Sequence, residues 1–93
     1  MRDAELVAWL ENASTTQDGM AFQFIICAAA TAGRPLPTSL LPAAAEFVPD
    51  PYQLAWIAWH MEGDVVAESV RAAENPALAR EKRAAILFYA TAW

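Results

Sequence analysis

Cysteine, histidine and glycine are scarce in this chain, with one cysteine, one histidine and three glycines. A single cysteine excludes an intramolecular disulfide. Cys27 lies within Phe24-Ile25-Ile26-Cys27-Ala28, where a thiol behaves as a small hydrophobe. No neighbouring Lys, Arg or His is present to lower its pKa, so a buried, unreactive thiol is expected. A reducing compartment, the cytoplasm, is the natural setting. Gly19, Gly33 and Gly63 are too dispersed to form a phosphate-cradling loop or a dinucleotide fingerprint. His60 is far in sequence from Cys27, which sits in a different, apolar segment, so no metal-ligand set is visible. There is no paired-carboxylate motif and no Cys-x-x-Cys. The expectation is therefore a non-catalytic protein with no cofactor and no metal.

Long apolar runs are missing too. The most apolar one, Met20 to Ala32, covers 13 residues and is interrupted by Gln23. A membrane span needs about 20 residues, so no membrane association is expected. The first residues, Met1-Arg2-Asp3-Ala4-Glu5, are acidic and lack the apolar region of a signal peptide. Strand signals are also lacking, as no run alternates and no Asn-Gly or Asp-Gly hairpin occurs.

Cations are in deficit, with 6 basic against 11 acidic residues and a net charge of −5. The first fifty residues carry most of it, having Arg2 and Arg34 against Asp3, Glu5, Glu11, Asp18, Glu46 and Asp50. A phosphate backbone would be repelled, which argues against a nucleic-acid partner. The acids are too dispersed for a DNA mimic. Such a balance instead steers a protein toward a basic surface on a partner.

Alanine is abundant, at 22 residues. It loses no side-chain entropy in a helix and tops the helix scale. Setting alanine aside leaves 31 larger apolar residues, enough for one core. The chain length suits one domain. The punctuation predicts helices throughout. Asp3 is a candidate cap for a first helix ending near Ala13. Ser14 with Gln17 has capping-box spacing, and Thr15 with Asp18 places an acid in the first turn of a second helix. That helix should run to Ala32, stopped by Gly33 and Pro35. It is apolar nearly all round, so it is expected to be central. Arg34 to Thr38 reads as extended because each residue before a proline avoids helical space. A short helix from Ser39 to Phe47 accommodates Pro42 in its first turn. Asp50-Pro51 is a cap-plus-proline start for a second central helix running at least to Glu62, with a break expected at Gly63-Asp64. Asn75-Pro76 is another such start, for a last helix that closes the core. The expected architecture is all-α, an irregular single-domain bundle of five to six short helices.

The stretch from Asp50 to Arg71 carries two apolar stripes. Leu54, Ile57, Ala58, Met61 and Val65 form one, and Tyr52, Trp56, Trp59, Gly63, Val66 and Val70 form the other. Aromatic stripes at helical spacing are usually core, so the ordinary expectation buries both. The alternative is that a partner covers the second, since Trp and Tyr dominate interface hot spots. His60 sits on the narrow polar remainder, one turn before Asp64, a spacing that allows a local hydrogen bond or ion pair between them. A rim or solvated histidine is preferred over a catalytic one, because no nucleophile or third group is in evidence. Arg80, Lys82 and Arg83 form a small basic cluster, which is expected to be a solvated face or to read an acidic partner. The apolar tail ends on Trp93 and must dock on the core or across a dimer.

The candidate interface residues are therefore Tyr52, Trp56, Trp59, His60, Arg80, Arg83 and Trp93. The expected function is binding of another protein, as an inhibitor, immunity-type protein, anti-defence protein or adaptor. The alternative is a homodimeric structural module. Less favoured is a small-ligand binder or enzyme with a pocket near His60.

Overall fold

The computed structural model describes residues 2–92, with side chains described for 2–90. Trp93 lies outside the described residues. Helix α1 spans Asp3–Thr15 and α2 spans Gly19–Thr31. A two-residue strand β1 (Leu36–Pro37) leads into a 3-10 turn at Thr38–Leu40 and then α3 (Leu41–Phe47). Helix α4 (Pro51–Trp59) is followed by strand β2 (Met61–Glu62), α5 (Val65–Ala73) and α6 (Arg80–Ala92). The protein is an all-α bundle.

Aspartate caps account for the starts of α2, α4 and α5. Asp50 accepts a hydrogen bond from the Tyr52 N–H at 2.9 Å, with Pro51 in the first turn of α4. Asp64 accepts from the Ala67 N–H at 3.0 Å and starts α5. The break expected at Gly63-Asp64 is therefore real, but α4 stops sooner than expected, at Trp59. Met61 and Glu62 pair instead with Leu36 and Pro37 in a parallel ladder. The extended linker between the prolines thus becomes a strand, a pairing that no alternating pattern announced. It places Leu36 and Met61 side by side in the core, both buried.

Other starts differ from expectation. Asp3 does not cap α1. Arg2 is the cap residue, without a side-chain bond, and Asp3 accepts from Arg34 Nε and Nη2 at 2.9 and 2.6 Å. Ser14 and Thr15 belong to the last turn of α1 rather than to a capping box. Asp18 is the cap of α2, accepting from the Ala21 N–H at 3.2 Å. Between them Gln17 takes the left-handed conformation, with φ of 59°. The Asp18 N–H reaches the Ala13 carbonyl and the Gln17 N–H the Ser14 carbonyl, so a glutamine performs the Schellman role usually given to glycine. Gly33 performs the same role after α2, at φ 71°, with bonds from Gly33 and Arg34 to Ala30 and Ala29. Asn75 does cap a turn, accepting from the Ala77 N–H, but α6 begins only at Arg80.

Helices α1 and α2 pack as a hairpin, and α6 packs on both α4 and α5. The small helix α3 joins the two halves, packing on α2, α4 and α5. Its Leu41, Ala44 and Ala45 are fully covered, and the alanines allow close approach of its neighbours. Helix α2 is correspondingly less central than expected. Phe22, Ile26, Ala29 and Ala30 are buried, but Met20 and Phe24 point outward. One core cluster runs from Leu6 to Tyr89.

Within that core Ser69, on the inner face of α5, is fully buried, and its Oγ has no hydrogen-bond partner among the described residues. An unsatisfied buried hydroxyl costs about 1–3 kcal/mol. Ser69→Ala removes it with almost no change in shape. We expect it to stabilise the protein by about 1 kcal/mol, raising Tm by about 4–8 °C in a calorimetric scan. An unchanged or lower Tm would mean that the hydroxyl has a partner in solution.

Candidate functional site

The two stripes of the 50–71 stretch have opposite fates. Leu54, Ile57, Ala58, Met61 and Val65 are all buried, at 4% exposure or less. The second stripe is not core. Tyr52 is 87% exposed, Trp59 60% and Trp56 43%, and Val66 and Val70 are exposed as well. The expectation that both stripes would be buried is corrected here. The reason is where the neighbouring helices pack: α6 covers one side of α4 and one side of α5 and leaves the aromatic side open.

The aromatic side chains are held by edge contacts. Trp56 meets the His60 ring edge-on, with centroids 4.8 Å apart. Trp59 meets Tyr89 in the same manner at 5.8 Å. Tyr89 is buried, and its hydroxyl donates to the Ala58 carbonyl at 2.6 Å. That bond anchors the end of α4 to α6 and so fixes how α4 presents its aromatics. His60 ends α4 as its C-cap residue. The pair with Asp64 does not form, since Asp64 is occupied as the cap of α5.

The basic cluster is largely structural. Lys82 Nζ donates to the Ala45 carbonyl at 2.9 Å, at the end of α3. Arg83 donates from Nε to the Ala73 carbonyl at 3.0 Å and from Nη2 to the Asn75 carbonyl at 3.1 Å, at the end of α5. The last carbonyls of a helix lack intrahelical partners and form its negative end, so cations are favourable there. Burial pushes the Lys82 ammonium below the usual lysine value, partly countered by Glu46. Arg80 is exposed, so of the three it alone resembles the solvated residue expected. Arg83 is engaged within the fold.

Two grooves flank α4. One, of about 520 Å³, runs between α4 and α6 and is lined by Pro51, Tyr52, Ala55, Glu81, Ala84, Ala85 and Phe88. The other, of about 460 Å³, lies toward α2 and is lined by Met20, Phe24, Cys27 and Gln53 among others. Cys27 is therefore only half-buried, not a core residue as expected. Desolvation raises its thiol pKa, against a lowering hydrogen bond from Gln53 Nε2 at 3.1 Å. Such a thiol stays protonated and is a poor nucleophile. His60 lines neither groove.

The residues that sequence reasoning missed are those that α6 contributes to the first groove beside the expected Tyr52. Glu81, Ala84, Ala85 and Phe88 follow the i, i+3, i+4, i+7 spacing of a helix face, and that signal was legible. Their neighbour stripe, Lys82, Ile86 and Tyr89, has the same kind of spacing and turns inward. Only packing separates the two. Among the described residues, no three His, Cys, Asp or Glu side chains gather as a metal ion would require, and no helix is long and apolar enough to cross a membrane. Comparison of the chain with protein-family models, with curated proteins and with solved structures found no match.

Proposed function

We propose that this protein acts by binding another protein through the outward aromatic face of α4. The observation that carries this reading is the exposure of Tyr52, Trp56 and Trp59 on a helix whose adjacent stripe is completely buried. Trp and Tyr supply large contact area and are the residue types on which binding energy concentrates. Exposed apolar patches rimmed by polar groups mark interaction surfaces. A binding protein of this kind, whether inhibitor or adaptor, acts by occupancy.

The charge pattern supports a basic partner. Four of the six cations are bonded to groups of the protein itself. Arg34 pairs with Asp3 and Arg71 with Glu68, while Lys82 and Arg83 hold helix-end carbonyls. The two ion pairs cancel within the molecule, so the net charge of −5 remains the field a partner meets. The same repulsion disfavours pairing of two copies.

The test is capture of a partner from a lysate of the native source, followed by titration of the purified partner with variants. Trp56→Ala and Tyr52→Ala should each weaken binding about tenfold or more, equivalent to about 1.4 kcal/mol, with helicity unchanged by circular dichroism. Binding that ignores both substitutions, or helicity that falls in step with affinity, would sink the assignment.

A further inference from the structure

The groove between α4 and α6 has a particular shape. Its floor is alanine from both helices, Ala55 on one side and Ala84 and Ala85 on the other, and Tyr52 and Phe88 line it as the large side chains. Glu81 is the only charged residue in the lining, and no ion pair holds it among the described residues. Both Tyr52 and Phe88 are more than three-quarters exposed, so the groove is a trough and not an enclosed cavity.

Each feature narrows the occupant. Small-molecule sites are concave pockets with several converging polar groups, whereas this trough offers one carboxylate. Both walls are helices, whose backbone groups are satisfied internally, so an extended peptide would find no strand edge to pair with. An alanine floor permits close approach of a third helix, because interaxial distance follows side-chain size. A second copy of this chain would bring a like charge of −5 and be repelled. A cation beside the apolar contact would meet Glu81, and Asp50 lies immediately before the lining residue Pro51.

We propose that the α4–α6 groove receives an amphipathic helix of a partner protein, with aliphatic side chains on the Ala55/Ala84/Ala85 floor and a Lys or Arg paired with Glu81. This rests on the reading of α4 as a partner-binding surface and names the class of segment bound. It is the helix-in-groove mode, in which anchors at i, i+3, i+4 and i+7 carry the contact.

The test uses two synthetic amphipathic helices of about four turns, with identical leucine faces and with either lysine or glutamate on the polar face. Binding to the full chain is followed by titration and by amide shift mapping. The lysine peptide should bind at least about tenfold tighter than the glutamate peptide, with shifts centred on Tyr52, Ala55, Ala84 and Ala85. Ala84→Phe, at an exposed position, fills the trough and should cost at least about tenfold. Glu81→Lys should weaken the lysine peptide several times more than Glu74→Lys, which makes the same change of net charge outside the groove. Equal binding of both peptides, no binding of either, or indifference to Ala84→Phe overturns the proposal. So does an equal effect of Glu81→Lys and Glu74→Lys. Such failures leave the partner-binding reading to the Trp56→Ala titration, and loss of that reading shows as partner affinity unchanged by Trp56→Ala.

Discussion

Gly63→Ala is expected to destabilise the protein by about 3 kcal/mol or more, the sum of a backbone term and a steric one. Gly63 has φ of 137°, in a region that only glycine occupies readily, where another residue costs about 1–3 kcal/mol. A Cβ there would also drive into Thr38 Oγ1. Thr38 is buried at the start of the 3-10 turn, so it has little room to withdraw. The contact has a topological cause. Residues 61–62 pair with residues 36–37, and the next residues of each segment, Gly63 and Thr38, meet at the end of that ladder. Gly33→Ala is the control. Gly33 also has positive φ, 71°, but its Cβ would meet nothing, so only the left-handed cost of about 1 kcal/mol applies. Urea unfolding of the two variants should show a much lower midpoint for Gly63→Ala. Equal midpoints would mean that the ladder end yields freely.

Phe22→Ala is expected to cost about 3–5 kcal/mol, through lost transfer energy and the cavity left behind. Phe22 is completely buried and its ring meets that of Phe47 at 5.4 Å. This contact joins the α1–α2 hairpin to α3 and hence to the other half of the bundle. Domains are typically stable by about 5–15 kcal/mol, so this one substitution removes a large share. Phe24→Ala, two residues along the same helix, should change stability by no more than about 0.5 kcal/mol, because Phe24 is 77% exposed. Denaturation midpoints measured side by side check the pair. Similar losses for the two would mean that Phe24 is covered in solution.

The contrast between Phe22 and Phe24 shows where sequence reading stops. Both lie in one unbroken apolar run, and a helix apolar on every side gives periodicity nothing to resolve. The all-round apolar character predicts a central helix, yet Phe22 faces the core while Met20 and Phe24 face out. The candidate site met the same difficulty. Tyr52, Trp56 and Trp59 were legible as a stripe, and so was the buried stripe beside them. Which of the two faced inward depended on where α6 docked. Arg83 was legible as a charge, but its carbonyl partners, at Ala73 and Asn75, exist only once α5 and α6 have packed.

By itself the sequence determined the helical class, from its alanine content and the absence of alternating runs. It also determined the ends that depend on local bonds: Asp50-Pro51, Gly63-Asp64 and Gly33 with Pro35. Those signals act within a few residues, so their physics is complete in the string of letters. Tertiary structure alone decided the rest. It ended α4 at Trp59, because residues 61–62 gain a ladder with a segment 25 positions earlier. It delayed the last helix to Arg80 although Asn75-Pro76 has the form of a helix start, and the intervening turn lets Arg83 close on Ala73 and Asn75. It also left the aromatic face of α4 outside, because α6 docks beside that face and does not cover it. Contacts distant in sequence carry free energies as large as the local ones, and they are settled only when the whole chain packs at once.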